Sequence, residues 1–185
     1  MFVAQDLRKK SIGEYLLYMW QIEDLIRANQ CDIEKIKVSI IAKYAVDEDK
    51  KEELVKWYGE LSQMMHDENV MQKGHLQINK NVIIWLNELH QKLSASPQFP
   101  FYHAAYFKVL PFIVELRSKS GSSVVEVSEI ETCFEALYGV VLLKMQQKEI
   151  SKDTLKAIEA ISHFIAMLSA FYLDDKEGKL KFEVS

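Results

Sequence analysis

Residues 75–93 read HLQINKNVIIWLNELHQKL, and the spacing of their apolar members decides the fold class. At about 100° per residue, Leu76, Ile78, Val82, Ile83, Leu86, Leu89 and Leu93 gather on one half of a helical circumference. Lys80, Asn81, Asn87, Glu88, Gln91 and Lys92 fall on the other half. This is a helix with one buried face, starting before His75 and ending near Leu93. Pro97 stops it, because proline cannot continue the hydrogen-bond ladder.

The same period runs outward in both directions, and period-two alternation is nearly absent. Ser11 and Glu14 have capping-box spacing and open a helix to about Asn29. Asp32 caps a shorter helix carrying Ile33, Ile36, Ile40 and Tyr44 on one face. Asp47 caps another, with the stripe Leu54, Tyr58, Leu61 and Met65. Beyond Pro97, residues 99–119 are apolar on most of their circumference, which predicts a central helix kinked at Pro111. Ser120-Gly121-Ser122-Ser123 is a loop, and residues 124–127 have the composition of a short extended piece. Ser128 with Glu131 forms a second capping box opening a helix to about Gln147, and Ser151 caps a last one ending near Leu173. The expectation is an all-α protein: a compact antiparallel helical bundle of six or seven helices in one domain spanning residues 1–185. Residues 1–10 are expected as an N-terminal lead-in and 174–185 as a charged tail.

Composition narrows the function classes. The chain has 185 residues, 49% of them hydrophobic and 27% charged, with a net charge of −4. That balance suits a globular core and gives no basic track for a nucleic acid or an anionic membrane. The longest uncharged run, residues 160–173, is shorter than the roughly 20 apolar residues a membrane span needs, so it predicts a core helix. Two cysteines, Cys31 and Cys133, lack metal-ligand spacing and are expected as free thiols. With no apolar leader at the N-terminus, a cytoplasmic location is expected.

Phosphate loops, dinucleotide fingerprints, HExxH, CxxC and nucleophile elbows are all missing, and six glycines are too few for a glycine-built cradle. No cofactor, metal or catalytic residue is expected from motifs. Polar residues on apolar faces are more informative. His75, Asn79 and His90 project onto the core half of their helix, and Glu23 onto the arc of Ile12, Leu16, Met19 and Ile26. Arg27, at i+4 from Glu23, is its natural partner. A buried polar group without a partner costs about 1–3 kcal/mol, so Glu23, Arg27, His75 and Asn79 are expected to form one network, with Arg117 as a possible fifth member. Such a network either fixes helix register or builds a ligand site. Glu159 with His163, and Glu131 with Glu135, read as surface pairs. Tyr102, His103, Tyr106 and Phe107 are an aromatic run with the spacing of a core.

Four stretches also resemble a known family. Residues 2–10 and 14–20, then 73–83 (KGHLQINKNVI) and 110–117 (LPFIVELR), look like a bacterial family known only as a domain of unknown function. The resemblance spans essentially the whole chain. It implies a small bacterial cytoplasmic protein and carries over no activity or catalytic residue.

Two functions fit these readings. The first is a non-enzymatic helical module for interaction or self-association, expected as a homodimer because several helices are apolar over more than half their surface. The second is a small-molecule site or enzyme in the bundle core around Glu23, Arg27, His75 and Asn79, with the two arginines favouring an anionic ligand. A pocket reaching solvent at that cluster would favour the second; a dry, fully paired cluster would favour the first.

Overall fold

A computed structural model describes residues 2–120 and 127–182. Within them lie eight α-helices: α1 (Phe2–Lys10), α2 (Ile12–Ala28), α3 (Ile33–Ser39), α4 (Glu48–Asp67), α5 (Gln77–Ala95), α6 (Pro100–Ser120), α7 (Glu129–Met145) and α8 (Lys152–Lys176). A 3₁₀ turn, Ile41–Lys43, follows α3. The described residues are 79% helical, far above the usual third, and no strand occurs among them. The all-α expectation holds. Residues 121–123 of the expected loop and 124–126 of the extended piece lie outside the described residues.

The caps read from the sequence form. Ser11, Asp32, Asp47, Ser128 and Ser151 each accept a backbone N–H from the first turn of the helix they precede. The first capping box closes only halfway. The backbone N–H of Ser11 goes to the carbonyl of Leu7 at 2.7 Å rather than to Glu14, because a helix already runs up to it. That helix, α1, corrects the expected lead-in and raises the helix number above six or seven. It packs along α2, burying Ala4 and laying the Arg8 guanidinium over the Tyr15 ring.

Which helix is central also differs from expectation. The helices at the centre are α2, which packs against α1, α4, α5, α7 and α8, and α8, which packs against α2, α5, α6 and α7. Of the described helices, α8 alone is long and apolar enough to cross a membrane by length and composition; Ile161, Phe164, Ile165 and Leu168 of that helix are buried against its neighbours. Helix α6 lies at the periphery and runs through Pro111 without a break. Tyr102, Val109 and Ile113 face inward, while Phe101, Phe107 and Val114 are exposed. Breadth of apolar surface told how much of α6 seeks cover, but not that one side would stay uncovered.

Close approach of α2 and α8 depends on Gly13. Its N–H, orphaned at the start of α2, donates to the hydroxyl of Ser169 at 3.2 Å, which itself donates to the carbonyl of Ile165. A Cβ at position 13 would stand 2.7 Å from that hydroxyl and 3.1 Å from Ile165 Cγ2. Gly13→Ala is therefore expected to destabilise the fold by about 1–2 kcal/mol, although alanine is the better helix former by about 1 kcal/mol. In a denaturant titration, Ser169→Ala in the same chain should recover part of the loss. A neutral or stabilising Gly13→Ala would refute this account.

Candidate functional site

Glu23 lies in the middle of α2, fully buried. Its Oε1 accepts the backbone N–H of Leu76 at 2.9 Å and the side-chain amide of Asn79 at 2.7 Å. Its Oε2 lies 2.5 Å from His75 Nδ1. The carboxylate thus sits at the N-terminus of α5, where Leu76 offers no side-chain cap and the helix dipole favours negative charge. Glu68 covers the next donor, accepting the N–H of Gln77 at 2.6 Å. A buried carboxylate tolerated on these terms is a structural part of the α4–α5 connection.

Arg27 holds the same connection from below. Nε and an Nη donate to the carbonyl of Val70 at 3.2 Å, and the guanidinium also bonds the carbonyl of Gly74. Gly74 has φ +85°, a left-handed conformation that glycine adopts without strain and that turns the chain back towards α2. Asp24 takes the remaining Nη at 2.8 Å and accepts the Tyr138 hydroxyl at 2.6 Å from α7. Burial, then the bond to Asp24, pushes the Tyr138 phenol above its ordinary value. Arg27 and Glu23 themselves stand 3.9 Å apart. The expected i,i+4 ion pair is present, but as a looser contact than the loop carbonyls make.

The structure unites Glu23, Arg27, His75 and Asn79, with corrections to the reasoning that grouped them. His75 precedes α5, so a helical projection did not apply to it; it reaches Glu23 because the turn at Gly74 delivers it there. Arg117 is tied elsewhere, donating to Thr132 Oγ1 at 3.2 Å and to the carbonyl of Val127 at 2.6 Å. Ile78, placed on the core face, is 37% exposed, whereas Asn79 and His90 are buried as expected.

A cavity of about 230 Å³ opens beside this cluster, lined by Trp20, His75, Asn79, Ile83, Ile84 and Glu131, with Gln77 and Lys80. Trp20 stacks on the imidazole, ring centres 4.1 Å apart and planes 13° from parallel. Two buried polar atoms of lining residues, Trp20 Nε1 and Asn79 Oδ1, have no hydrogen-bond partner among the described residues. Glu23 dictates the Asn79 orientation: as a carboxylate it needs the amide nitrogen, which leaves the oxygen over. With Nδ1–H committed to Glu23, the second ring nitrogen of His75 is the basic one, the arrangement of a carboxylate-held general base or ligand imidazole.

Sequence reasoning missed Trp20 and Glu131. Trp20 stands one turn before Glu23 on the same helix, and Glu131 hid in a capping box as a solvated face. Glu135 is exposed, as expected, and does not line the cavity, although desolvation and the charge of Glu131 raise its carboxyl above the ordinary value, with His75 opposing.

A second buried polar group lies between α5, α6 and α7. His90 Nδ1 and the Tyr102 hydroxyl are 2.7 Å apart, and Tyr106 donates to Glu129 at 2.8 Å. Burial lowers the His90 pKa, with Glu129 opposing, and pushes the neighbouring Cys133 thiol up to about 12. Both cysteines are free. His103 bonds the carbonyl of Leu93 at 3.0 Å, closing the α5–α6 corner. These aromatics form core rather than a pocket wall, except Phe107, which is exposed. Glu159 and His163 face the groove between α6 and α8. No cluster of three or more His, Cys, Asp or Glu suited to a metal occurs among the described residues.

Comparison with curated proteins and with solved structures gives no match. A family model does match, across residues 1–179, including every member of the Glu23 cluster and its cavity. The chain belongs to the family described as Domain of unknown function (DUF4924).

Proposed function

We propose that this protein binds a small molecule in the cavity beside His75. The observation that carries the reading is a cavity opening onto an imidazole whose Nδ1 is held by a fully buried carboxylate, with two unpartnered buried polar atoms on its lining residues. Register-fixing networks pair their polar groups and stay closed; this one leaves two buried polar atoms unpaired on residues that line an open cavity.

At about 230 Å³ the cavity is smaller than the roughly 300–1,000 Å³ of drug-sized sites, which suits a single-ring compound. Ile83, Ile84 and Trp20 supply apolar walls, and Gln77 and His75 supply hydrogen bonds. The anionic ligand first expected relied on Arg27 and Arg117. Neither lines the cavity, and the acid on its wall, Glu131, is offset by Lys80, so the ligand class proposed is an uncharged heterocycle. The acidic balance and free thiols suit a single cytoplasmic unit working without nucleic acid or membrane.

The test is a thermal-shift series with single-ring heterocycles (imidazole, pyridine, uracil and their amines). Saturation at about 100 times Kd stabilises by about 2.7 kcal/mol, a shift of several degrees. Ile84→Trp, at a half-exposed position on the cavity wall, should remove the shift while leaving the unliganded melting temperature nearly unchanged. A series in which nothing shifts the parent protein, or in which the shifts survive Ile84→Trp, defeats the proposal.

A further inference from the structure

On α6, the residues at 100, 104, 107, 111, 114 and 118 are Pro, Ala, Phe, Pro, Val and Ser, and all are exposed. Their spacing alternates four and three, the narrow seam of a helix that pairs with another helix rather than the broad face that packs on a core. α5, α7 and α8 cover the other sides. Phe107 is 65% and Val114 59% exposed, and Phe101 beside them 82%. Soluble chains rarely leave so long an apolar line to water.

We infer that a second copy of this chain docks antiparallel along this seam, making the protein a homodimer. Charge selects both occupant and direction. The positions flanking the seam on one side are Phe101, Lys108 and Glu115. In an antiparallel pair centred on Pro111 this flank meets itself, setting Lys108 against Glu115 of the second copy, twice by symmetry. Across the seam, Phe107 then faces Val114, and the small side chains of Ala104 and Ser118 face each other. A parallel pair would set Lys108 against His103 and Glu115 against Leu110, forming no ion pair. Lys108 has no ion-pair partner among the described residues, and Glu115 holds Lys119 at 2.6 Å while keeping a second oxygen. The seam is about 27 Å long at 1.5 Å per residue. The α6–α8 groove beside it, lined by Lys108, Phe112, Lys156 and Glu159, adds to the contact. This inference is independent of the His75 cavity, which lies among α2, α5 and α7.

Sedimentation equilibrium on the full chain tests it. The expected mass is twice 21.5 kDa at micromolar concentration. Phe107→Glu and Val114→Glu should each weaken the dimer beyond about a hundredfold while leaving the far-UV dichroism helical. Lys108→Glu or Glu115→Lys alone sets like charges together and should weaken it about tenfold, whereas both in one chain should restore it. A parent protein that stays monomeric to high micromolar concentration, or a dimer indifferent to Phe107→Glu and Val114→Glu, overturns the inference. Failure of the double charge exchange to restore the dimer overturns the antiparallel register.

Discussion

Glu23→Ala lowers the stability of the fold by about 3–5 kcal/mol in urea denaturation, the range for breaking a buried charged pair. The loss does not come from Arg27, which keeps Asp24 and the carbonyls of Val70 and Gly74. It comes from the donors stranded at the start of α5: the Leu76 N–H and the Asn79 amide, both buried, and the His75 ring. Each stranded buried donor costs about 1–3 kcal/mol, and a methyl group cannot exclude the space the carboxylate filled. Glu23→Gln is the control. It preserves one acceptor oxygen for Leu76 and Asn79 and should lose only about 1–2 kcal/mol. Its amide nitrogen then faces His75 Nδ1, so the ring proton moves to Nε2 and Nδ1 becomes the acceptor. Nitrogen NMR of the imidazole reads this tautomer change directly. A Glu23→Ala variant within about 1 kcal/mol of the parent, or an unchanged tautomer in Glu23→Gln, would show that Glu23 does not organise the site.

Phe164→Ala should cost a similar amount, about 3–5 kcal/mol, by a different mechanism. Phe164 is fully buried on α8 and packs against His90, Tyr102 and Tyr106, with ring centres 5.8, 5.4 and 6.0 Å away. The neighbours come from α5 and α6, and their own hydrogen bonds to one another and to Glu129 hold them in place. The site therefore collapses poorly and keeps a cavity. A second readout separates this from general loosening. Burial holds the His90 pKa below its ordinary value, against the pull of Glu129. Water admitted where Phe164 stood relieves that burial, so the His90 titration midpoint rises. Proton NMR of the imidazole checks the direction. A loss below about 2 kcal/mol, with an unmoved His90 midpoint, would mean that the aromatic group packs loosely.

Much of the architecture was legible because helix formation is a local event. The stripes on α4 and α5, the five side-chain caps and the burial of Glu23, Asn79 and His90 follow from what residues three and four apart do to one another. So does the contact between Glu23 and Arg27, which share a helix. Legibility ended where the chain stopped being helical. His75 was grouped with the right partners, but the projection that grouped it describes α5, and His75 stands in the turn before it. Arg27 spends its donors on the carbonyls of Val70 and Gly74, and a carbonyl leaves no mark in a sequence, since every residue has one. α1 was passed over because it ends in the basic run Arg8-Lys9-Lys10, which reads as a solvated lead-in, whereas in the fold it packs along α2.

What the sequence determined by itself, then, is the helices, their caps and their buried faces. Which face meets which was decided only by the tertiary structure. Arg117 sits on a suitable helix to join Glu23, yet α6 carries it to Thr132 and Val127. α6 was broad enough to be central, yet α2 and α8 took the centre, because Gly13 lets their backbones approach and Ser169, 156 residues away, supplies the missing hydrogen bond. Periodicity fixes the direction of a side chain relative to its own axis. Docking depends on the sum of buried area, close approach and matched polar groups over every pair of helices at once, and no local window contains that sum.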